Sequence, residues 1–396
     1  MKLIPARTSA LIVVALAMFT DTLLYYLLVP LLPAYARQYG LNQMGIGILF
    51  GSYAAALLLG TVPLGRLADR MGRRTPMIGG LLGLFATTLL FAFARSYPLL
   101  ILARILQGLS ATATWTAGMA LVADHFPRSA RGRAMGTVFA CANLGVLLGP
   151  ALSGWLDQHY GLRAPFLAAA GLALLDALAR ITLLKDVPAV LDTRMGFLDL
   201  MKNPTIRVFA GAMAMGASLL ALLESTLPLH LDAVLKLAPT SIGLCFGAAA
   251  VTHMISSPLM GALSDRVGRK KVLVTGLLLA MVAIPLPVFM TGIWGVALAM
   301  GCIGVITTLI LSPASPAMAD AVERMGSDSY GSVFGILNIA FALGMMAGPL
   351  VGSALVQALG IRAALMGMGL AFGAYAIWVG QVGAAPQLKP GSSENG

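Results

Sequence analysis

Residues 77–94 and 272–300 contain no charged side chain. An apolar run of roughly 18 or more residues is long enough to cross the hydrocarbon of a bilayer. Within that layer every backbone N–H and C=O must be satisfied inside the protein, so such a run folds as a helix. Comparable blocks recur along the whole chain, and only 10% of its residues are charged, against about 25% in a soluble globular domain. At about 20 residues per crossing, the 396 residues hold twelve spans with short loops and no sizeable soluble domain. The expected starts lie near residues 8, 45, 76, 97, 134 and 164, then 206, 240, 272, 295, 330 and 361. Met1-Lys2 followed by apolar residues opens like a signal peptide. The apolar stretch nevertheless runs past Asp21 to Leu32 with no small-residue cleavage site, so a retained first helix is expected.

Charge placement sets the orientation. A net charge of +11 would suggest nucleic acid as the partner of a soluble chain. Here, twenty of the 26 lysines and arginines fall on one side of the expected spans, among them Arg66, Arg70, Arg73, Arg74, Arg131 and Lys271. The other side receives Arg37, Arg95, Arg163, Lys236 and Arg362, and Arg104 lies within a span. The excess of positive loops puts both termini in the cytoplasm and makes the bilayer, not nucleic acid, the partner. Cys141, Cys245 and Cys302 sit inside apolar stretches without metal-ligand spacing and read as packing residues. No metal or cofactor is expected.

The chain also repeats itself. Gly65-Arg-Leu-Ala-Asp-Arg-Met-Gly-Arg-Arg74 returns as Gly261-Ala-Leu-Ser-Asp-Arg-Val-Gly-Arg-Lys270, 196 residues later. Gly136, Gly145, Gly149 and Pro150 return as Gly335, Gly344, Gly348 and Pro349, and Gly161-Leu-Arg-Ala164 as Gly360-Ile-Arg-Ala363, both 199 residues later. Three patterns recurring at about half the chain length imply two parallel six-helix repeats. The expected divisions are a first half (1–184), a polar cytoplasmic linker (185–205) carrying Pro188 and Pro204, a second half (206–385) and a disordered tail (386–396).

Against this background the ionisable residues within spans stand out. Asp21 has about ten apolar residues on either side and lies near mid-depth in span 1, where a carboxyl can take up and release a proton. Glu224 holds a comparable place in span 7, somewhat nearer the outer end, so it could instead reach the headgroup region. Two anionic groups at the interface of the halves favour a cationic solute, and Tyr25, one turn from Asp21, could add a cation–π wall. Arg104 in span 4 needs a partner carboxylate or carbonyls to offset its burial. Asp320 and Glu323 are one turn apart at the inner end of span 10, and read equally as part of a proton route or as a solvated helix end. Asp176 and Arg180 can pair across one turn of span 6. His230 and His253 are lone histidines for which packing is the more common fate.

The doubled segment carries Asp69 and Asp265 with Arg70, Gly72, Arg73 and Arg266, and can latch the two halves at the cytoplasmic face. It resembles the signature of the major facilitator superfamily. Gly145, Gly149 and Pro150 in span 5 resemble the antiporter motif of proton-coupled drug exporters, with Ser153 in place of a glycine. Arg104-Ile-Leu-Gln-Gly108 resembles a second motif of those exporters, whose arginine is linked to proton transfer. At Thr20-Asp-Thr-Leu-Leu, Leu223-Glu-Ser-Thr-Leu-Pro-Leu229 and Tyr330-Gly-Ser-Val-Phe the chain is similar to vesicular monoamine transporters and their bacterial drug:proton antiporter relatives. The resemblance implies an all-α major facilitator fold of twelve transmembrane helices in two pseudo-symmetric halves. It also implies that Asp21 and Glu224 hold a substrate amine and that Glu323 is the family's span-10 acid. The family's span-2 lysine is Tyr53 here, following Phe50-Gly-Ser, its span-11 aspartate is Asn338, and a pocket tyrosine of span 8 is His253. Asn203-Pro-Thr is not a usable glycosylation site, in keeping with a prokaryotic plasma-membrane protein. The expected activity is proton-coupled export of small organic cations by a monomer. An uncoupled or proton-symporting carrier of a neutral solute is the alternative.

Overall fold

The computed structural model describes residues 6–72, 74–126, 128–183, 197–325 and 330–382, which form helices and turns and no strand. In the first half, apolar helical segments long enough to cross a membrane are Arg7–Tyr39 (span 1), Gln43–Leu67 (span 2), Arg74–Phe93 (span 3), Gly132–Tyr160 (span 5) and Ala164–Ile181 (span 6). The second half supplies Pro204–Leu235 (span 7), Pro239–Val267 (span 8), Arg269–Phe289 (span 9), Ile293–Arg324 (span 10), Gly335–Leu359 (span 11) and Ile361–Gln381 (span 12). Helix Tyr97–His125 is span 4, and it carries the polar residues Arg104, Gln107, Thr112, Thr114 and Thr116 along its length.

Local chemistry explains where these helices start and stop. Asn42 caps span 2 by accepting the Gly45 N–H at 2.9 Å, and Asn203 caps span 7 by accepting the Thr205 N–H at 2.9 Å. Pro204 sits in the first turn of span 7, where its missing N–H costs nothing. The expected linker also contains a short helix, Phe197–Leu200. Its residues 185–196, and the expected tail, lie outside the described residues. Gly72, Gly161, Gly268 and Gly360 all have φ between 79° and 107° in the loops after spans 2, 5, 8 and 11. Only glycine adopts that backbone freely, which accounts for its recurrence at equivalent places in the two halves.

Three expected helices are interrupted where proline removes a backbone donor. Span 1 divides into Ala6–Tyr26, a 3₁₀ turn Val29–Leu31 and Leu32–Tyr39. The Leu31 N–H turns to the Leu28 carbonyl at 3.0 Å, so the Leu27 carbonyl loses its helical donor. The Ser153 hydroxyl of span 5 fills the vacancy at 2.5 Å. A glycine, which the resemblance would place there, could not do so. Spans 9 and 10 break similarly near Pro285, Pro287 and Pro313.

Packing follows the repeat. Spans 1 and 5, 2 and 4, 3 and 4, and 3 and 6 associate in the first half, as do 7 and 11, 8 and 10, 9 and 10, and 9 and 12 in the second. Small residues set the closest approaches. A Cβ on Gly145 would lie 2.6 Å from the Phe19 carbonyl of span 1, and one on its counterpart Gly344 would lie 2.1 Å from the Ala214 carbonyl of span 7. Gly149 and Gly348 repeat this one turn later, against Leu23 at 3.0 Å and Ser218 at 2.5 Å.

The halves meet through spans 2 and 11 and through spans 5 and 8, at the end remote from the basic loops. A Cβ on Gly47 would lie 2.6 Å from the Pro349 carbonyl, one on Gly154 2.5 Å from the Pro239 carbonyl, and one on Gly243 2.3 Å from the Pro150 carbonyl. Gln43 donates to Ser353 at 3.1 Å and to the Ser225 carbonyl at 3.0 Å. Thr240 donates to Gln158 at 2.7 Å, and Arg37 pairs with Asp232 at 2.5 Å. Toward the basic end, a Cβ added to Gly136 of span 5 or Gly335 of span 11 would meet nothing within 4 Å. Among the described residues, the close contacts between the halves thus gather at the rim remote from the basic loops.

This asymmetry makes a paired prediction. Gly243→Ala drives a methyl into backbone of the opposite half, a clash that costs about 1–3 kcal/mol, and should shift the distribution of distances between the halves at this rim toward larger separation. Gly335→Ala meets open space and should leave the distribution unchanged. Distances between spin labels on the outer ends of spans 2 and 11 measure the effect. Equal distributions in the two variants would contradict the assignment of the closed rim.

Candidate functional site

The broken span 1 delivers Asp21, Tyr25 and Tyr26 to the centre of the molecule, and Gly145 lets span 5 press against it from behind. Asp21 is 2% exposed. Its Oδ2 accepts the indole N–H of Trp115 from span 4 at 2.6 Å, while Oδ1 has no partner. The Tyr53 hydroxyl is a further neighbour. Glu224, 3% exposed on span 7, accepts the Tyr25 hydroxyl at 3.1 Å. This hydrogen bond joins the two halves at mid-depth. Glu224 is thus buried within the protein beside the Asp21 helix.

Arg104 enters the same region from span 4 and is 1% exposed. Its Cζ lies 5.1, 5.2 and 4.9 Å from the ring centroids of Tyr25, Phe50 and Tyr53. Its Nη1 donates to Gln107 at 2.8 Å, and its Nε and Nη2 have no hydrogen-bond partner. The sequence calls for a carboxylate or carbonyls around Arg104. Three aromatic faces and one amide are found instead. Gly108 permits this arrangement, because a Cβ there would lie 2.3 Å from the Tyr53 carbonyl.

Asp21, Tyr25, Phe50, Tyr53, Arg104 and Glu224 thus come together. His253 and Asn338 are placed differently. His253 is half-buried on span 8 and its Nδ1 is 3.0 Å from the Thr308 hydroxyl, which also accepts from Ser256 at 2.9 Å. Asn338 is exposed on span 11. Glu323 is exposed near the basic end of span 10, where Asp320 pairs with Arg269. Arg269 also approaches Asp265 at 3.5 Å. This copy of the doubled segment therefore ties spans 8, 9 and 10 of one half together instead of bridging the halves. Gly65 faces Thr116 of span 4, and Arg70 and Arg266 are exposed. The Asp69 side chain and Arg73 lie outside the described residues.

Trp115, Gln107 and Tyr26 are members of the cluster that sequence reasoning missed. Trp115 was within reach, since it stands three helical turns beyond Arg104 on the same face of span 4. Gln107 lies inside the quoted motif, and Tyr26 adjoins Tyr25. Among the described residues no group of His, Cys, Asp and Glu is placed to hold a metal ion.

Two repeat-related six-helix bundles, joined at one rim around a buried charged cluster, define a polytopic membrane protein. The Major Facilitator Superfamily model matches residues 14–232 and again residues 208–395, and the chain belongs to that family. It is 33% identical over 322 residues to the human chromaffin granule amine transporter, covering 80% of this chain and 61% of that protein. It is 30% identical to the mouse synaptic vesicular amine transporter, covering 81% and 62% respectively. The chain thus spans about three fifths of the length of these relatives. A probable vesicular acetylcholine transporter of Danio rerio matches at 30% over 98% of this chain and 82% of its own length. Among solved structures, a bacterial homolog of the human lysosomal transporter Spinster, inward-facing and occupied, superimposes with a TM-score of 0.82 at 15% identity, covering 98% of this chain and 100% of that one. The human organic anion transporter MFSD10 gives a TM-score of 0.68 at 23% identity, covering 95% and 100%. At those identities the two structures speak for the fold alone.

Proposed function

We propose that the chain is a proton-coupled antiporter that exports small organic cations, amine drugs or monoamines, by alternating access between its two six-helix halves, residues 1–184 and 206–385. The observation that carries this reading is the pair of buried carboxylates, Asp21 and Glu224, one from each half, set among aromatic rings at mid-depth. Anionic charge at that depth is costly and is kept where it acts on a solute or a proton. The amine transporters among the relatives support the cargo class. In this reading the basic loops and both termini face the cytoplasm of a plasma membrane, the structure is the inward-open state, and the working unit is a monomer. Protons are the only coupling species.

The test uses acidified inside-out proteoliposomes and a lumenal pH dye. Adding tyramine or tetraphenylphosphonium outside should drive proton efflux and raise the lumenal pH. Cation uptake without proton movement would replace antiport by an uncoupled carrier. No uptake of either cation would overturn the cargo class.

A further inference from the structure

The guanidinium of Arg104 sits where an organic cation would be expected to sit. Three rings, Tyr25, Phe50 and Tyr53, surround its Cζ at 4.9–5.2 Å. Aromatic faces at that distance are the means by which proteins hold amine and quaternary ammonium cations. The rings also touch one another: Tyr25 and Tyr53 have centroids 4.9 Å apart, and Tyr25 and Phe50 5.8 Å apart at 78°. They form a built cage and not three chance neighbours.

The polar contacts of Arg104 point the same way. A structural arginine at this depth should be saturated with acceptors, because unpaired buried donors are expensive. Arg104 instead leaves Nε and Nη2 unpartnered, and makes no ion pair within 4.0 Å among the described residues. The two carboxylates nearby accept from other groups, Asp21 Oδ2 from Trp115 and Glu224 from Tyr25, and neither forms an ion pair with Arg104. Held by rings and by a single hydrogen bond to Gln107 at 2.8 Å, the guanidinium is exchangeable.

Resting on the cargo class argued above, we infer that Arg104 is a tethered cation that competes with the transported cation for the cage of Tyr25, Phe50 and Tyr53. In the inward-open state Arg104 fills the cage, which expels the cargo and prevents its immediate return. When cargo takes the cage, the guanidinium withdraws. Gln107, Thr88 and Phe166 lie beside Arg104 around a gap too small to hold a water molecule, so the withdrawal requires these side chains to move with it. Tyr53 stands where the resemblance places a lysine, so the third wall of the cage is a feature of this chain's own sequence.

The experiment measures equilibrium binding of tyramine and tetraphenylphosphonium to the full chain in lipid nanodiscs. Arg104→Met keeps the length of the side chain and removes the internal competitor. It should tighten binding of at least one cation by about tenfold or more while slowing its release and lowering transport. Arg104→Lys keeps a competing cation and should tighten binding less than Arg104→Met does. Adding Tyr53→Leu to Arg104→Met should reverse the gain. The wild-type protein supplies an independent readout: with arginine labelled in its guanidinium, the Arg104 NMR signal should be displaced by ring currents in the empty protein and move toward the normal position as cation is added. Cation binding that is equal in wild type and Arg104→Met, or that leaves the Arg104 signal unmoved, overturns the competition and spares the cargo class. Failure of both cations to bind wild type and Arg104→Met alike overturns the two together.

Discussion

Asp21→Asn is expected to abolish both the pH dependence of cation binding and the accumulation of cargo against a gradient. One carboxylate oxygen of Asp21, Oδ1, has no hydrogen-bond partner, while Oδ2 is held by Trp115. A proton and an organic cation cannot both neutralise the same charge, so they compete. Above the pKa of the group the anion is present and binds cation, and below it the neutral acid does not. Affinity in the wild type should therefore fall with falling pH, by at most about tenfold per pH unit for one titrating group. Asparagine keeps the shape and can still accept from Trp115, but it carries neither charge nor proton. Glu224→Gln should chiefly weaken cation binding, since it removes the second anion and leaves Asp21 to exchange protons. Binding of tyramine to all three proteins from about pH 5.5 to 8.5, a window spanning neutral pH, gives the answer. A pH dependence in Asp21→Asn equal to that of wild type would remove this residue from the shared proton and cation site.

Asp176→Asn is expected to lower stability by about 3–5 kcal/mol, the cost of leaving one member of a buried ion pair alone. Asp176 and Arg180 of span 6 are both fully buried and pair at 3.1 Å, with a longer second contact at 3.4 Å. A further guanidinium N–H of Arg180 reaches the Met77 carbonyl of span 3 at 3.1 Å, so the pair also clamps spans 3 and 6. Replacing both residues, Asp176→Leu with Arg180→Met, should recover most of the loss, because no uncompensated charge remains. Unfolding in detergent measures the difference. If Asp176→Asn were as stable as wild type yet lost proton coupling, the pair would belong to the transport chemistry instead.

Much of this architecture is legible in the sequence, for definable reasons. Hydropathy places span starts well because the hydrocarbon layer forbids unpaired backbone. The 199-residue spacing of Gly145 and Gly344 anticipates that spans 5 and 11 play equivalent parts. Asp21 and Glu224 stand out because charge is rare at mid-depth. Less legible are relations between helices, which depend on side-chain direction and not on spacing. Nothing in the order of residues says that the Trp115 indole turns to Asp21, or that Arg104 prefers three rings to either carboxylate. Analogy alone suggests His253 and Asn338 as neighbours of the central cluster. In this structure one bonds within its own half and the other is exposed. Ser153 is a small-for-small replacement in the sequence, and only the broken span 1 exposes a carbonyl for its hydroxyl.

The outer rim is held by helix crossings at Gly47, Gly154 and Gly243 and by neutral hydrogen bonds from Gln43 and Thr240. The charged contact there, Arg37 with Asp232, is largely exposed, its side chains showing 64% and 31% of their surface. Dissolved ions screen exposed charges over about 8–10 Å at ordinary ionic strength, but do not weaken close packing of backbone on backbone. Salinity should therefore do little to loosen this seam, whose strength rests on the steric fit of backbone against backbone and on temperature.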